Sequence, residues 1–533
     1  MTETITPQAL DDQLADGGEI AVIDLREHGQ YGEAHLLFCV SIPFSRLELS
    51  VGSLVPNRST RVVVYDQDDG EIAGRATDIL RSLGYRNVRR LQGGADGWKA
   101  AGYRLFAGVN VPSKAFGEMI AENFDTPAIT ADELAKKQQR GEKVVILDGR
   151  PWEEFHAQSI PGATSCPNGE LIYRIQSLVD DDQTEVVINC AGRTRSIIGC
   201  EMLRQYGIKN PVYALRNGTM GWRLSGREIN EGARQRAALE VDSDSLSSMR
   251  PRALSMAERA GAAVISADMA QKWIQSDERT TYLLDVRDPQ EFRREHLAGA
   301  RSAPGGQLIQ ATDEWIGVRR ARVVLVDDTE VRAAACAYWL SQMDYEVYIL
   351  KGGKTAWWAT ESGTGTDNRD PVGHRVVDAA TAADRLMNTP ETQLLDCQAA
   401  MAFRKAHANG ARWVIRPNLP AQIGDLDPSA PTLVMGSGDG REQLIANDLV
   451  ALGYTDVTLV SGGIKAWTEA GQDLVASPDT PSDSEAIDYL FFVHDRHAGN
   501  LEAAKQYLAW EHGLVPSLTE RDLEHYRLAP INT

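Results

Sequence analysis

The chain has 533 residues, 43% of them apolar and 24% charged, with a formal net charge of −20. No apolar run approaches the roughly 18 residues of a membrane-spanning helix, and the start Met-Thr-Glu-Thr-Ile-Thr lacks the basic end and apolar core of a secretory signal, so no membrane association is expected. The acidic balance argues against nucleic acid as the main partner, and any site for an anion must be made locally, by arginines and oriented amides.

In chain order, one unit recurs four times. It opens on an apolar strand ending in aspartate: Val22–Asp24, Ile146–Asp148, Leu283–Asp285 and Leu394–Asp396. An aromatic residue and a turn follow, from Tyr31 to Leu36, Phe155 to Ala163, Phe292 to Ala300 and Phe403 to Ala411. A second apolar strand lies near Val62–Tyr65, Val186–Asn189, Val323–Val326 and Thr432–Met435. A helix then ends at Gly84, Gly207, Asp344 or Gly453. Each unit closes on Gly93-Gly94, Asn217-Gly218, Gly352-Gly353 or Gly462-Gly463, followed by Trp98, Trp222, Trp357 or Trp467. The aspartates and tryptophans keep matching offsets at intervals of roughly 110–140 residues, too long for solenoid repeats of about 20–50 residues. Tandem α/β domains are expected, each a mostly parallel sheet flanked by helices.

The boundaries place domains at 1–105, 127–227, 262–362 and 376–473, with a helical C-terminal tail at 485–533. Between them lie a connector to about Pro127, a polar helical linker from Glu231 to about Gly261, and a Gly/Thr/Asp-rich connector at Gly363–Asp370. Ser477–Ser484 reads as a flexible linker. In the tail, Leu501, Ala504, Lys505, Leu508 and Glu511 step by three and four. Phe491, Phe492 and Trp510 give it a face to pack on the body of the protein.

The second unit carries the chemistry. Cys190 ends the run Val186-Val187-Ile188-Asn189 and opens the loop Cys190-Ala191-Gly192-Arg193-Thr194-Arg195, with a helix from Ser196 to about Tyr206. Loop amides and the helix dipole there favour thiolate over thiol, which predicts a pKa below the usual value of about 8.5. Arg193 and Arg195 add positive charge that could hold an anionic substrate. The equivalent position is Asp66 or Gln67 in the first unit, Asp327 in the third and Gly436 in the fourth, whereas Arg195 has partners at Arg332 and Arg441. One nucleophilic copy stands among three that lack the thiol.

Six cysteines with no CxxC pair argue for a reducing, cytoplasmic setting and against structural disulfides, zinc or another metal; no cofactor is expected. Cys200 and Cys336 share a helix register that suggests core packing, and Cys39 and Cys397 lie beside strands. Cys166, in Ser165-Cys166-Pro167, could approach the active loop and resolve a disulfide.

This ordered set of motifs resembles the rhodanese (sulfurtransferase) superfamily over all four units. Asp148-Gly149-Arg150 with Phe155 and Ile160-Pro161-Gly162-Ala163 looks like the family's opening signature. Asn217-Gly218-Thr219-Met220-Gly221-Trp222 looks like its closing one, and Cys190 stands where the family keeps its catalytic cysteine. The resemblance implies double displacement: Cys190 takes the outer sulfur of a small anionic donor such as thiosulfate as a persulfide, and cyanide, a thiol or a protein cysteine removes it. It makes Cys190 catalytic and assigns substrate binding to Arg193 and Arg195 with Ala191, Gly192, Thr194 and Ser196. Asp148 and Arg150 hold the scaffold. Tandem members pair an inactive N-terminal domain with an active C-terminal one; domains one and two look like that arrangement, and domains three and four look like a second pair that has lost its cysteine. The loop departs from the usual Cys-Arg-x-Gly and Cys-Gly-x-Gly patterns, so the donor stays open, as does the oligomeric state. Two rival readings are a scaffold whose four domains dock partners, and a phosphatase of the same fold; the latter needs a longer loop with its arginine one residue later.

Overall fold

A computed structural model describes residues 3–239, 241, 243–356, 360–362, 373–491 and 500–530. Trp357, the connector Gly363–Asp370 and Phe492 lie outside the described residues. Among the described residues no helix is long and apolar enough to cross a membrane.

Each of the four units folds around a five-stranded parallel sheet with the same strand order. In the second domain the spatial order is Ala128–Ile129, Val212–Leu215, Glu185–Asn189, Val144–Asp148 and Ala163–Ser165. The central strands are apolar without alternation because helices cover both faces; Ile20–Asp24 is buried at every position. The strand register pairs Asp148 with Asn189, Asp24 with Tyr65, Asp285 with Val326 and Asp396 with Met435. The next residue in each copy is therefore equivalent: Cys190, Asp66, Asp327 and Gly436. This settles the first unit on Asp66 rather than Gln67.

The aspartate that ends each first strand anchors the turn after it. Asp148 is fully buried; Arg150 donates to it from Nε and Nη2 at 2.8 and 2.7 Å, and also from Nη2 to the Gln158 carbonyl at 2.6 Å. Asp24–Arg26 and Asp285–Arg287 repeat the arrangement. The fourth copy substitutes a neutral donor: Gln398 Nε2 reaches Asp396 and the Ala406 carbonyl, both at 3.0 Å. Without the cation, burial pushes the Asp396 carboxyl up to about 6.

Domain two packs on domain three, and domain one on domain four. The two–three interface is reciprocal. Gly169 meets Gly305 and Gly306 so closely that a Cβ on Gly169 would lie 2.8 Å from Gly306 N. On one side of this crossing Arg195 donates to Gln307 at 3.1 Å, and on the other Arg332 donates to Glu170 at 3.1 Å. At the one–four contact, Arg416 donates to Glu48 at 2.6 and 2.8 Å and to the Phe44 carbonyl at 3.1 Å. Domain one also touches domain three, where Tyr282 donates to the Leu54 carbonyl at 2.6 Å. Around these polar contacts one apolar core runs continuously through domains one, two and three.

After domain two, helix Ser243–Arg259 packs along helix Val331–Gln342 of domain three. The C-terminal segment returns across the body. Leu490 lies against Gly32, helix Leu501–His512 sits on domain two, and Leu514 enters a cluster with Leu37, Phe106, Val111 and Ala115.

A carboxyl whose folded pKa lies above its unfolded value of about 3.9 stabilises the fold below that value and loses the contribution as pH rises through the folded pKa. Asp396→Asn is therefore expected to stabilise domain four at pH 8 by on the order of 2 kcal/mol, with the gain shrinking towards pH 4. Urea unfolding of both proteins at the two pH values checks this; an equal shift at both contradicts the buried-carboxyl account.

Candidate active site

Cys190 follows the buried strand Glu185–Asn189 and is itself 2% exposed. Its backbone is fixed from two directions. Asn189 Nδ2 donates to Asp148 at 2.7 Å, and Gly149 N donates to the Asn189 carbonyl at 2.9 Å. From the closing motif, Thr219 N and Oγ1 donate to the Cys190 carbonyl at 2.8 and 3.1 Å, and Met220 N donates to Ala191 O at 3.0 Å. Gly218 has φ +53°, and a Cβ there would lie 2.3 Å from the Cys190 oxygen, so only glycine allows this approach.

Helix Thr194–Tyr206 begins two residues earlier than the sequence suggested, with Arg193 at its N-cap. The Ser196 amide and hydroxyl face the thiol and favour its ionised form, as does the nearby Arg195 charge. Burial outweighs them, and the Glu511 carboxylate adds to it, so the Cys190 pKa is raised. This corrects the expectation of a lowered value. The tail helix Leu501–His512 reaches the same loop. A Cβ built on Gly192 would lie 2.7 Å from Met220 Cε, 3.1 Å from Glu511 Oε2 and 3.8 Å from Tyr507 Cε1.

Both loop arginines hold bidentate ion pairs. Arg193 Nε and Nη2 donate to Glu118, each at 2.7 Å, and Arg195 Nη1 and Nη2 donate to Glu154, each at 2.8 Å. Ala191 is half-buried, Gly192, Thr194 and Ser196 are buried, and Asn168 Nδ2 donates to the Arg195 carbonyl at 2.7 Å. Thr194 packs on Gly117 of helix Val111–Asn123. Repeat comparison could not find Glu118 or Glu511, because both lie outside the repeated units. Glu154 and Gln307 lie inside them, but only the folded two–three contact brings them to Arg195.

The sister loops show what this loop geometry can hold. In domain three the fully buried Asp327 accepts the N–H groups of Thr329, Glu330 and Arg332 at 3.1, 2.5 and 2.9 Å. In domain one Asp66 accepts from Asp69, Gly70 and Ala73 at 2.7, 3.1 and 2.9 Å. Both place an anionic side chain in a ring of loop amides at the Cys190 position. In domain four Gly436 leaves that position without a side chain, and Cys397 Sγ would lie 2.9 Å from a Cβ there.

All six cysteines are free and buried. Cys166, Cys200 and Cys336 share the large core formed by domains one to three, and burial pushes the Cys166 thiol to about 12. Among the described residues no group of three or more His, Cys, Asp or Glu is placed to hold a metal ion.

Residues 6–101, 130–225, 266–360 and 379–470 each match the rhodanese-like domain family. The chain belongs to this family. Over 99% of its length it superposes on a crystal structure of a thiosulfate sulfurtransferase from Pseudomonas aeruginosa, covering 100% of that chain with a TM-score of 0.91 and 37% identity. A thiosulfate sulfurtransferase GlpE from Tolumonas auensis is 31% identical over 85 residues, 16% of this chain and 80% of that protein. The HTH-type transcriptional regulator Rv0324 of Mycobacterium tuberculosis is 36% identical over 108 residues, 20% of this chain and 46% of that protein. The match thus spans about half the length of that regulator.

Alkylation of Cys190 by iodoacetamide is expected to titrate above the ordinary cysteine range, its rate still climbing beyond pH 9. A rate that levels off below pH 8, followed by peptide mapping, would contradict the buried-thiol account.

Proposed function

We propose that this rhodanese-family chain is a sulfurtransferase in which Cys190 carries sulfane sulfur from a small anionic donor, thiosulfate in the first instance, to a thiophilic acceptor. The observation that carries the reading is the equivalence of Cys190 with Asp66 and Asp327, whose carboxylates sit in inward-turned amides. A loop of this geometry suits a thiolate or a persulfide as it suits a carboxylate. The full-length likeness to the Pseudomonas aeruginosa enzyme supports the same chemistry.

In the first half-reaction the Cys190 thiolate attacks the outer sulfur of thiosulfate. The S–S bond of the donor breaks, sulfite leaves with the bonding pair, and Cys190 becomes a persulfide. In the second, cyanide, a thiol or a protein cysteine attacks the outer sulfur, and the Cys190 thiolate is regenerated. Arg195 supplies positive charge beside the sulfur, and Ser196 donates towards it. Domains one, three and four take the role of scaffold in this reading, and six free thiols fit a reducing cytoplasm.

Thiocyanate formation from thiosulfate and cyanide is expected with the wild-type chain and is expected to fall by more than about a hundredfold in Cys190→Ser. Equal turnover in both proteins, or phosphate release from an aryl phosphate in place of thiocyanate, would overturn the reading. Absence of turnover with every sulfur donor would favour a four-domain scaffold.

A further inference from the structure

Arg195 is held from both sides of the two–three interface. From its own domain Glu154 accepts from Nη1 and Nη2, each at 2.8 Å, and from domain three Gln307 accepts from Nη1 at 3.1 Å. The Glu154 side chain is 38% exposed, so that ion pair alone fixes the guanidinium poorly. The close approach of two turns brings Gln307 to it. A Cβ on Gly306 would lie 3.1 Å from the Asn168 amide nitrogen, and Asn168 Nδ2 donates to the Arg195 carbonyl at 2.7 Å.

The equivalent arginine of domain three, Arg332, shows what the other choice of partner looks like. Strand register pairs Asp148 with Ser165 and Asp285 with Ser302, so Glu170 and Gln307, each five residues further on, are equivalent positions. Each domain lends this one position to its neighbour's arginine, and the loan is unequal. Arg332 Nη1 receives a carboxylate, Glu170, at 3.1 and 3.2 Å, besides Glu291 at 2.7 Å, and its Nη2 donates to Asp328 at 2.7 Å. Glu291 is the counterpart of Glu154, each six residues after its strand-ending aspartate. Both arginines thus keep a carboxylate of their own domain. Across the interface, the domain without the thiol takes a second carboxylate, and the domain with the thiol takes a neutral amide. The Arg195 charge favours the thiolate of Cys190. An amide accepts the same hydrogen bond as a carboxylate and cancels none of that charge.

We propose that Gln307 is a positioning residue for the Cys190 site: domain three supplies a neutral acceptor that fixes the Arg195 guanidinium and adds no second carboxylate to it. The proposal rests on Cys190 as the reacting thiol, which the reading above assigns. The other charged groups around the loop are Arg193 with Glu118, His512 beside Glu118, Glu511, and Lys114 over the Tyr507 and Trp510 rings; Asp148 and Arg150 stand on the far side of Arg195. All of these stay the same in the variants compared, so the comparison reads the change at Arg195 alone.

The test labels Cys190 with uncharged iodoacetamide at pH 8 in full chains, with the label located by peptide mapping; it does not depend on sulfur transfer. Gln307→Glu is expected to slow labelling about three- to tenfold, the effect of one added charge on the thiolate fraction. The double variant Glu154→Gln with Gln307→Glu moves the carboxylate from one side of Arg195 to the other and is expected to return the rate to within about twofold of wild type. Gln307→Leu removes the hydrogen bond without adding charge; it is expected to label within about twofold of wild type and to raise KM for thiosulfate several-fold with little change in kcat. A slowed Gln307→Glu restored by the double variant, in a chain that forms no thiocyanate, would defeat the sulfurtransferase reading and leave the role of Gln307 standing. Gln307→Glu labelling as fast as wild type, a double variant as slow as Gln307→Glu, faster labelling in all three variants from an opened interface, or an unchanged KM in Gln307→Leu would overturn the proposal.

Discussion

The buried carboxylate of Asp148 joins two strand ends. On one side it takes the Arg150 guanidinium, which also holds the following turn; on the other it takes Asn189, the residue before Cys190. A charge this deep is tolerated only when its lone pairs are filled by fixed donors, so the clamp sets where the second strand stops and the loop begins. The remaining features of the site follow from that stop. Helix Thr194–Tyr206 starts just beyond it, the closing motif locks onto the Cys190 carbonyl, and Gly218 can approach only because it has no side chain.

Comparison of the four copies separates architecture from chemistry. The clamp persists as an ion pair in three domains and as a neutral amide pair in the fourth, while the residue at the loop's first position varies from cysteine to aspartate to glycine. Where the residue is aspartate, its carboxylate fills the loop amides and itself stabilises the helix start. Loss of the thiol therefore did not require loss of the fold. Domain three repaid domain two in another way, by giving Gln307 to Arg195 and receiving Glu170 at Arg332.

Much of this was legible in the sequence, for physical reasons. Apolar runs without alternation mark strands covered on both faces, and an aspartate at each run's end marks the clamp, so repetition of Asp24, Asp148, Asp285 and Asp396 exposed four domains. Cys190 stood out because a glycine and two arginines follow the thiol within five residues, at a strand end before a helix. Its covering was not legible. Gly169 and Gly306 carry an interdomain contact without any periodic signal, and Glu118 and Glu511 reach the loop from segments that belong to no repeat. The amides and helix dipole that favour a thiolate are local to the loop, whereas the burial that outweighs them at Cys190 is a property of the whole fold.

In the proposed reaction one sulfur atom, at Cys190, accepts another. Intact-mass measurement after incubation with thiosulfate, followed by peptide mapping under non-reducing conditions, tests this most directly. A gain of one sulfur atom on the peptide containing Cys190, absent in Cys190→Ser and reversed by cyanide, is the predicted result. A gain mapped to Cys39, Cys166, Cys200, Cys336 or Cys397, or no gain with thiosulfate, would contradict it.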